Sequence, residues 1–193
     1  MDEKQTPTAA WIEEVRTRFP TERTIDEALT RKLNPRSGPP YVPSPIEEIE
    51  ERLTRFVGHV APGSHVSGVA PLGGGASKEQ YRFDLTGEHG DTAAYVLRRE
   101  PPESIVETHR LREYQLMRAM KGHVPVPDVP WVDAEGQWFG RPSLISCFVD
   151  GVTKPTGAKG NVSGLGAEYG PELRKILGRG FVDLQARIHK FHW

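Results

Sequence analysis

A single cysteine, Cys147, stands in the 193 residues, so no disulfide can close within the chain. Charge of one sign is also missing. The 25 Lys and Arg balance 26 Asp and Glu, for a formal net charge of −1, which excludes the basic footprint of a nucleic-acid or anionic-membrane binder. No apolar run approaches the ~18 residues of a membrane span, and Met1-Asp2-Glu3-Lys4-Gln5 has no signal-peptide character. A cytoplasmic protein without nucleic-acid or membrane partners is expected. The seven histidines are scattered without zinc spacing and no Asp pair has metal spacing, so no metal site is expected. What the chain does hold is glycine and proline, 20 and 17 residues, and their placement organises it. The length allows one core with an appendage.

The most informative stretch runs over residues 71–85, where Gly73, Gly74 and Gly75 and then Ser77 sit between two strand-like runs. Glycine lacks a Cβ, so backbone N–H groups of such a turn can approach phosphate oxygens closely. The plain alternative is a glycine turn that merely connects two strands. After a second turn, residues 92–99 read as a third strand in which Ala94, Val96 and Arg98 share one side. Small apolar residues there could cover an adenine while Arg98 reaches phosphates. Pro101-Pro102 then predicts a helix over residues 103–120, with Val106, Glu113, Met117 and Met120 on one stripe. A carboxylate on an apolar face needs a cation or several donors, and Arg98 is the natural partner for Glu113. The bland reading has Arg98 snorkelling and Glu113 tilting to solvent.

Elsewhere the signals are architectural. Residues 9–19 form a short candidate helix ended by Pro20, and the capping-box spacing of Thr24 and Glu27 opens a second through about Leu33. Residues 34–43 are a proline-rich linker. Ser44-Pro45-Ile46-Glu47 combines an N-cap, Pro at the first helical position and Glu at the third, predicting a helix over 45–57 whose stripe Ile46, Ile49, Leu53, Phe56 and Val57 buries against the sheet. Residues 129–133 and 143–149 read as two further strands. A glycine-rich linker follows over 151–171, then a helical pattern over 171–193 with Leu173, Leu177, Leu184, Ile188 and Phe191, weakened by Gly178 and Gly180.

In order, Leu72-Gly73-Gly74-Gly75-Ala76-Ser77, Tyr95-Val96-Leu97-Arg98-Arg99-Glu100-Pro101-Pro102, Arg112-Glu113-Tyr114, Val124-Pro125-Val126-Pro127 and residues 140–152 resemble the aminoglycoside phosphotransferase-like kinases. That family also includes choline-kinase-like and other small-molecule kinases. The resemblance covers roughly residues 64–193. It implies an α+β fold: a protein-kinase-like N-terminal lobe over 64–150, with about five antiparallel strands and one packed helix, a helical extension over 1–63, and over 151–193 a linker and the first helix of a second lobe. It implies ATP as ligand and, with the second lobe, magnesium and a small hydroxyl substrate. Gly73, Gly74, Gly75 and Ser77 then look like the nucleotide loop, Val96 like the adenine cover, Arg98 like the base on the ATP phosphates and Glu113 like the carboxylate that holds it. Cys147, Phe148 and Val149 look like the hinge facing the adenine edge. The sequence departs from protein kinases in lacking the third loop glycine and in carrying Arg where they use Lys.

These kinases carry a His-x-Asp loop with a downstream Asn and a further magnesium Asp in the second lobe. The sequence reaches Trp193 without them after the hinge, so the chain alone is expected to be inactive, with no catalytic residue of its own. His89-Gly90-Asp91 spells the tripeptide but precedes Arg98, and Val96 stands five residues after Asp91 where Asn is required; turn chemistry is the expected role. Two functions follow: the nucleotide-binding lobe of a hydroxyl-directed phosphotransferase, or a non-catalytic, pseudokinase-like module. The last helix, short of packing partners, is expected to be loosely held or covered by another chain.

Overall fold

Tyr81, Phe83 and Leu85 alternate with Gln80, Arg82 and Asp84, and that period of two fixes which face of a five-stranded sheet is buried. The computed structural model describes residues 6–34, 44–73, 78–101, 108–151 and 170–192. Strands β1 (His65–Pro71), β2 (Glu79–Thr86), β3 (Thr92–Arg99), β4 (Trp131–Asp133) and β5 (Ser143–Cys147) lie in the order β1-β2-β3-β5-β4, every neighbouring pair antiparallel. The helices are α1 (Ala9–Arg18), α2 (Arg23–Leu33), α3 (Ile46–Val60), α4 (Arg110–Met120) and α5 (Pro171–His189). The expected α+β class with a five-stranded antiparallel sheet is what the chain adopts.

Helix α3 lays Ile49, Leu53, Phe56 and Val57 on the face formed by Tyr81, Phe83, Leu85, Leu97 and Ile145, with Phe139 completing the core. Each of these side chains contributes about 1.5–3 kcal/mol by leaving water. The stripe was legible, but the ends of the helix differ from the expectation over 45–57. Pro45 sits at the cap position without a side-chain cap bond, because the Ser44 hydroxyl instead accepts a hydrogen bond from Arg99 Nη2 at 3.2 Å. At the other end the helix continues through Gly58 to Val60, where His59 stacks on Trp138 at 5.0 Å and Val60 packs on the core.

Two other helix starts shift for similar reasons. In α2 the carboxylate of Glu22 accepts from the Ile25 N–H at 3.2 Å, so the helix begins at Arg23 and the expected cap, Thr24, lies inside it. Helix α4 begins at Arg110 and not at Glu103, since His109 is extended and its Nδ1 accepts from the Arg112 N–H at 3.4 Å. Residues 102–107, and Val106 of the expected stripe with them, lie outside the described residues. So do 35–43 of the proline linker and 152–169 of the glycine-rich linker.

Glycine is required at two points. Gly68, at φ +62°, sits in the irregularity between Ser67 and Ala70 of β1, where a Cβ would lie 3.0 Å from an Asp84 carboxylate oxygen. Gly136, at φ +74°, passes so close to Arg141 that a Cβ would meet its backbone at 2.5 Å. That second turn is clasped by buried Asp133, whose carboxylate accepts from the N–H groups of Gln137, Trp138 and Phe139 at 2.8–3.0 Å. The clasp delivers Trp138 and Phe139 to Phe56, at ring separations of 5.8 and 5.1 Å.

Helix α5 runs unbroken through Gly178 and Gly180 but buries none of its residues. Ile176, Phe181 and Val182 are more than half exposed. Phe191, just beyond the helix, meets the ring of His123 edge-on at 4.9 Å.

Candidate functional site

The glycine stretch joins β1 to β2 as a hairpin connection, closed at its base by the Leu72 N–H donating to the Gln80 carbonyl at 2.8 Å. Gly73 is the last described residue before the turn, and a Cβ on it would meet nothing within 4 Å. Gly74, Gly75 and Ser77 lie outside the described residues. Lys78 then leads into β2 with its side chain almost wholly buried.

At this end of the sheet six charged side chains from four parts of the chain converge. Arg98, near the end of β3, donates through Nη1 to Glu113 Oε1 at 2.5 Å, so the pair expected between them is present. Glu113 Oε2 is held by Arg110 Nη1, three residues earlier in the first turn of α4. The guanidinium of Arg110, fully buried, reaches back through Nη2 to Glu100 Oε2 at 2.9 Å. Lys78 Nζ donates to that same Glu100 oxygen at 2.6 Å, and Lys32 of α2 approaches Glu100 Oε1 at 3.8 Å. One wholly buried arginine thus ties two carboxylates together, an arrangement that breaks expensively if either carboxylate is removed. Arg98 Nε is buried without a hydrogen-bond partner among the described residues.

Strand parity explains the convergence. Gln80, Arg82, Val96 and Arg98 point to the face opposite α3, where Arg82 pairs in register with Val96 and Gln80 with Arg98. Val96 is half-buried there. Arg82, which the sequence did not single out, pairs with Asp84 at 2.9 Å and lies over the Phe148 ring at 5.4 Å. The backbone following β5 is partly engaged: the Cys147 N–H donates to the Asp128 carbonyl at 2.7 Å and the Phe148 N–H to the Ala94 carbonyl at 2.9 Å. Among the described residues of the expected hinge, Val149 is the first whose N–H has no backbone partner, and its side chain is well exposed.

Cys147 also lines an open cavity of about 510 Å³ with Tyr95, Tyr114, Met117 and Val129. Burial, and then the nearby Asp128 carboxylate, push the thiol above its ordinary pKa, so it stays protonated at neutral pH. A second polar cluster occupies the α3 face, where Arg99 Nε lies 3.3 Å from Glu79. Burial raises the Glu79 pKa against the pull of Arg99 and Arg141. Ser44 borders it through its bond from Arg99, and Arg141 lies near enough to act on Glu79.

His89 and Asp91 are exposed in the β2–β3 turn, which is closed by the Gly87 N–H on the Asp91 carbonyl at 2.8 Å and by Gly90 at φ +84°. Asp91 is separated from Arg98 by about 23 Å of strand at ~3.3 Å per residue. No group of three His, Cys, Asp or Glu among the described residues is placed to hold a metal ion, and no helix among them is long and apolar enough to cross a membrane.

The residues that sequence reasoning missed are Lys78, Glu100, Arg110 and Lys32. Lys78, Arg98 and Glu100 share strand parity, and Arg110 precedes Glu113 by one helical turn, which were the available signals. No protein-family model matches this chain, and no curated protein matches it at a significant level.

Proposed function

We propose that the chain is the nucleotide-binding lobe of an ATP-dependent phosphotransferase that acts on a hydroxyl group of a small molecule. The observation that carries this reading is the Arg98–Glu113 pair at 2.5 Å beside the glycine hairpin. It fixes a permanently charged, planar phosphate clamp at the end of a strand whose preceding residue on that face, Val96, is a small apolar cover. ATP suits these residues. Arg98, with an unengaged buried Nε and the exposed edge of its guanidinium, would hold phosphates. Val96 and the Phe148 ring would flank the base, and the Val149 N–H would meet its edge. Bound ATP supplies the transferable phosphoryl group; the chain's own part is to bind and orient it.

The kinase-like description of the sheet, with a second lobe beyond residue 150, belongs to the same reading. The described residues then supply one wall of a nucleotide cleft, whereas a good site buries roughly 70–90% of its ligand. Affinity should therefore be weak. Calorimetry with ATP and magnesium should give a dissociation constant well above micromolar that weakens further in Arg98→Gln. ATP binding indifferent to Arg98→Gln contradicts the reading.

One observation favours the second reading, a non-catalytic nucleotide- or protein-binding module: the only His-x-Asp of the sequence serves a hairpin turn at the far end of β3. Both readings expect no phosphoryl transfer by these 193 residues. Labelled ATP with a panel of alcohols should show only background. Transfer abolished by Asp91→Asn in a folded chain would overturn both.

A further inference from the structure

We propose that the open cavity between α4 and strands β3 and β5 is a second ligand site, which takes a small aromatic carboxylate. The inference does not rest on the nucleotide reading. Tyr95 and Cys147 pair in register across β3 and β5 and both line the cavity, so by strand alternation it lies on the sheet face opposite Val96 and Arg98. Along its other side α4 and its C-cap set Tyr114, Met117, Arg118 and Lys121, at the spacing of neighbours on one helical face. Its volume, about 510 Å³, is that of a small-molecule site.

The walls select the body of the ligand and the polar groups select its charge. The half-buried rings of Tyr95 and Tyr114, with Met117 and the buried Val129, present flat and apolar surface to a fused aromatic ring. Among the polar groups donors prevail. Neither the Tyr95 hydroxyl nor the Cys147 thiol has a hydrogen-bond partner among the described residues, and burial holds both above their ordinary pKa, so each has a proton to donate at neutral pH. Asp128 brings the one carboxylate of the lining, and Lys121 Nζ already holds it at 2.5 Å. Arg118 has no such partner. Its guanidinium donates through Nη1 to the Tyr114 hydroxyl at 2.9 Å and lies 5.4 Å from the centre of that ring, with no acidic group to neutralise it among the described residues. A positive charge and a planar donor fork are thus left for an anion.

Three probes that share a ring and differ in charge separate this site from a plain apolar hollow. Naphthoate should bind more tightly than naphthalenemethanol, and naphthylmethylamine more weakly than either. Arg118→Gln should weaken naphthoate roughly tenfold, as expected for one charge-assisted hydrogen bond, and leave the alcohol unchanged. Tyr95→Phe should weaken naphthoate roughly threefold, through the loss of one neutral donor.

The test is a ligand-observed NMR titration of the 193-residue chain with the three probes, run on wild type, Arg118→Gln, Tyr95→Phe and Arg98→Gln, with thermal melts establishing that each is folded. Alkylation of Cys147 by iodoacetamide, with and without saturating naphthoate, locates the bound ring. The expected charge order, loss in Arg118→Gln, no change in Arg98→Gln and slower alkylation under naphthoate support the proposal. It is overturned if wild type binds no naphthoate, if the three probes bind alike, if Arg118→Gln binds naphthoate as wild type does, or if Cys147 reacts at the same rate with the ligand present. Naphthoate weakened by Arg98→Gln instead places it on the opposite face, and the proposal falls while the nucleotide reading stands. Should Tyr95→Phe not fold, the exposed Arg118 and the alkylation rates decide.

Discussion

Arg98 and Glu113 meet at 2.5 Å although one ends a strand and the other stands in the first turn of a helix fifteen residues on. The contact couples β3 to α4, and Glu113 is shared with Arg110, so the two arginines are not equivalent. Arg98 keeps a partly exposed edge, while Arg110 has none.

That inequality gives the first prediction. Glu113→Ala strips a carboxylate from a wholly buried guanidinium and should cost about 3 kcal/mol in urea unfolding, whereas Arg98→Ala, partly open to solvent, should cost about 1 kcal/mol. Equal costs would mean that Arg110 does not depend on Glu113.

Asp133 is a stability residue, not a site residue. Asp133→Ala leaves three backbone N–H groups without their acceptor and should destabilise by about 3 kcal/mol, with Asp133→Asn milder because it retains one carbonyl acceptor. Chemical denaturation that ranks the two alike contradicts the clasp.

How much of this was legible follows from where each signal lives. Alternation in residues 79–86 and the stripe of α3 are local patterns, so strand, helix and buried face could all be read from them. Helix starts were missed at Arg23, Ile46 and Arg110 because the capping group was not the residue type that the pattern favoured: Glu22 and His109 cap, while Ser44 turns to Arg99. The Arg98–Glu113 pair was readable because a carboxylate on an apolar stripe needs a cation. Lys78, Glu100 and Lys32 were not, since a charged residue at a strand or helix end looks like any solvated one until the tertiary structure brings them together.

Alkaline pH should expose the buried phenol of Tyr81 and the partly buried one of Tyr95. Burial, with Glu79 adding to it, raises Tyr81, and burial with Cys147 raises Tyr95, above the ordinary value of 10.0. The folded chain therefore holds these protons more tightly than the unfolded one, so their stabilising contribution is complete below pH 10 and is lost as the pH rises through their folded values. Phenolate absorbance should show both ionising late and together with unfolding. Ordinary titration of all five tyrosines in the folded chain contradicts this.

Cys147 should be a slow nucleophile. Its thiol is raised above 9.0 by burial and then by Asp128, so iodoacetamide at pH 8 should alkylate it more slowly in the folded chain than after unfolding, the rate climbing as the pH passes 9. Equal rates would contradict the burial.

The apolar face that α5 leaves uncovered by the described residues is tested for self-association by one substitution. Phe181, 62% exposed, should tolerate Phe181→Glu within about 0.5 kcal/mol. The variant should also lose concentration-dependent self-association in sedimentation. Identical sedimentation of wild type and variant removes that role from the helix.

The nucleotide reading itself is tested most directly by an amide-resolved NMR titration of the chain with ATP and magnesium. It predicts shifts at Gly73, Val96, Arg98, Glu113 and Val149, with His89 and Asp91 unmoved. Saturating ATP that leaves Arg98 and Val149 unperturbed, or that shifts the His89–Asp91 turn instead, would contradict it.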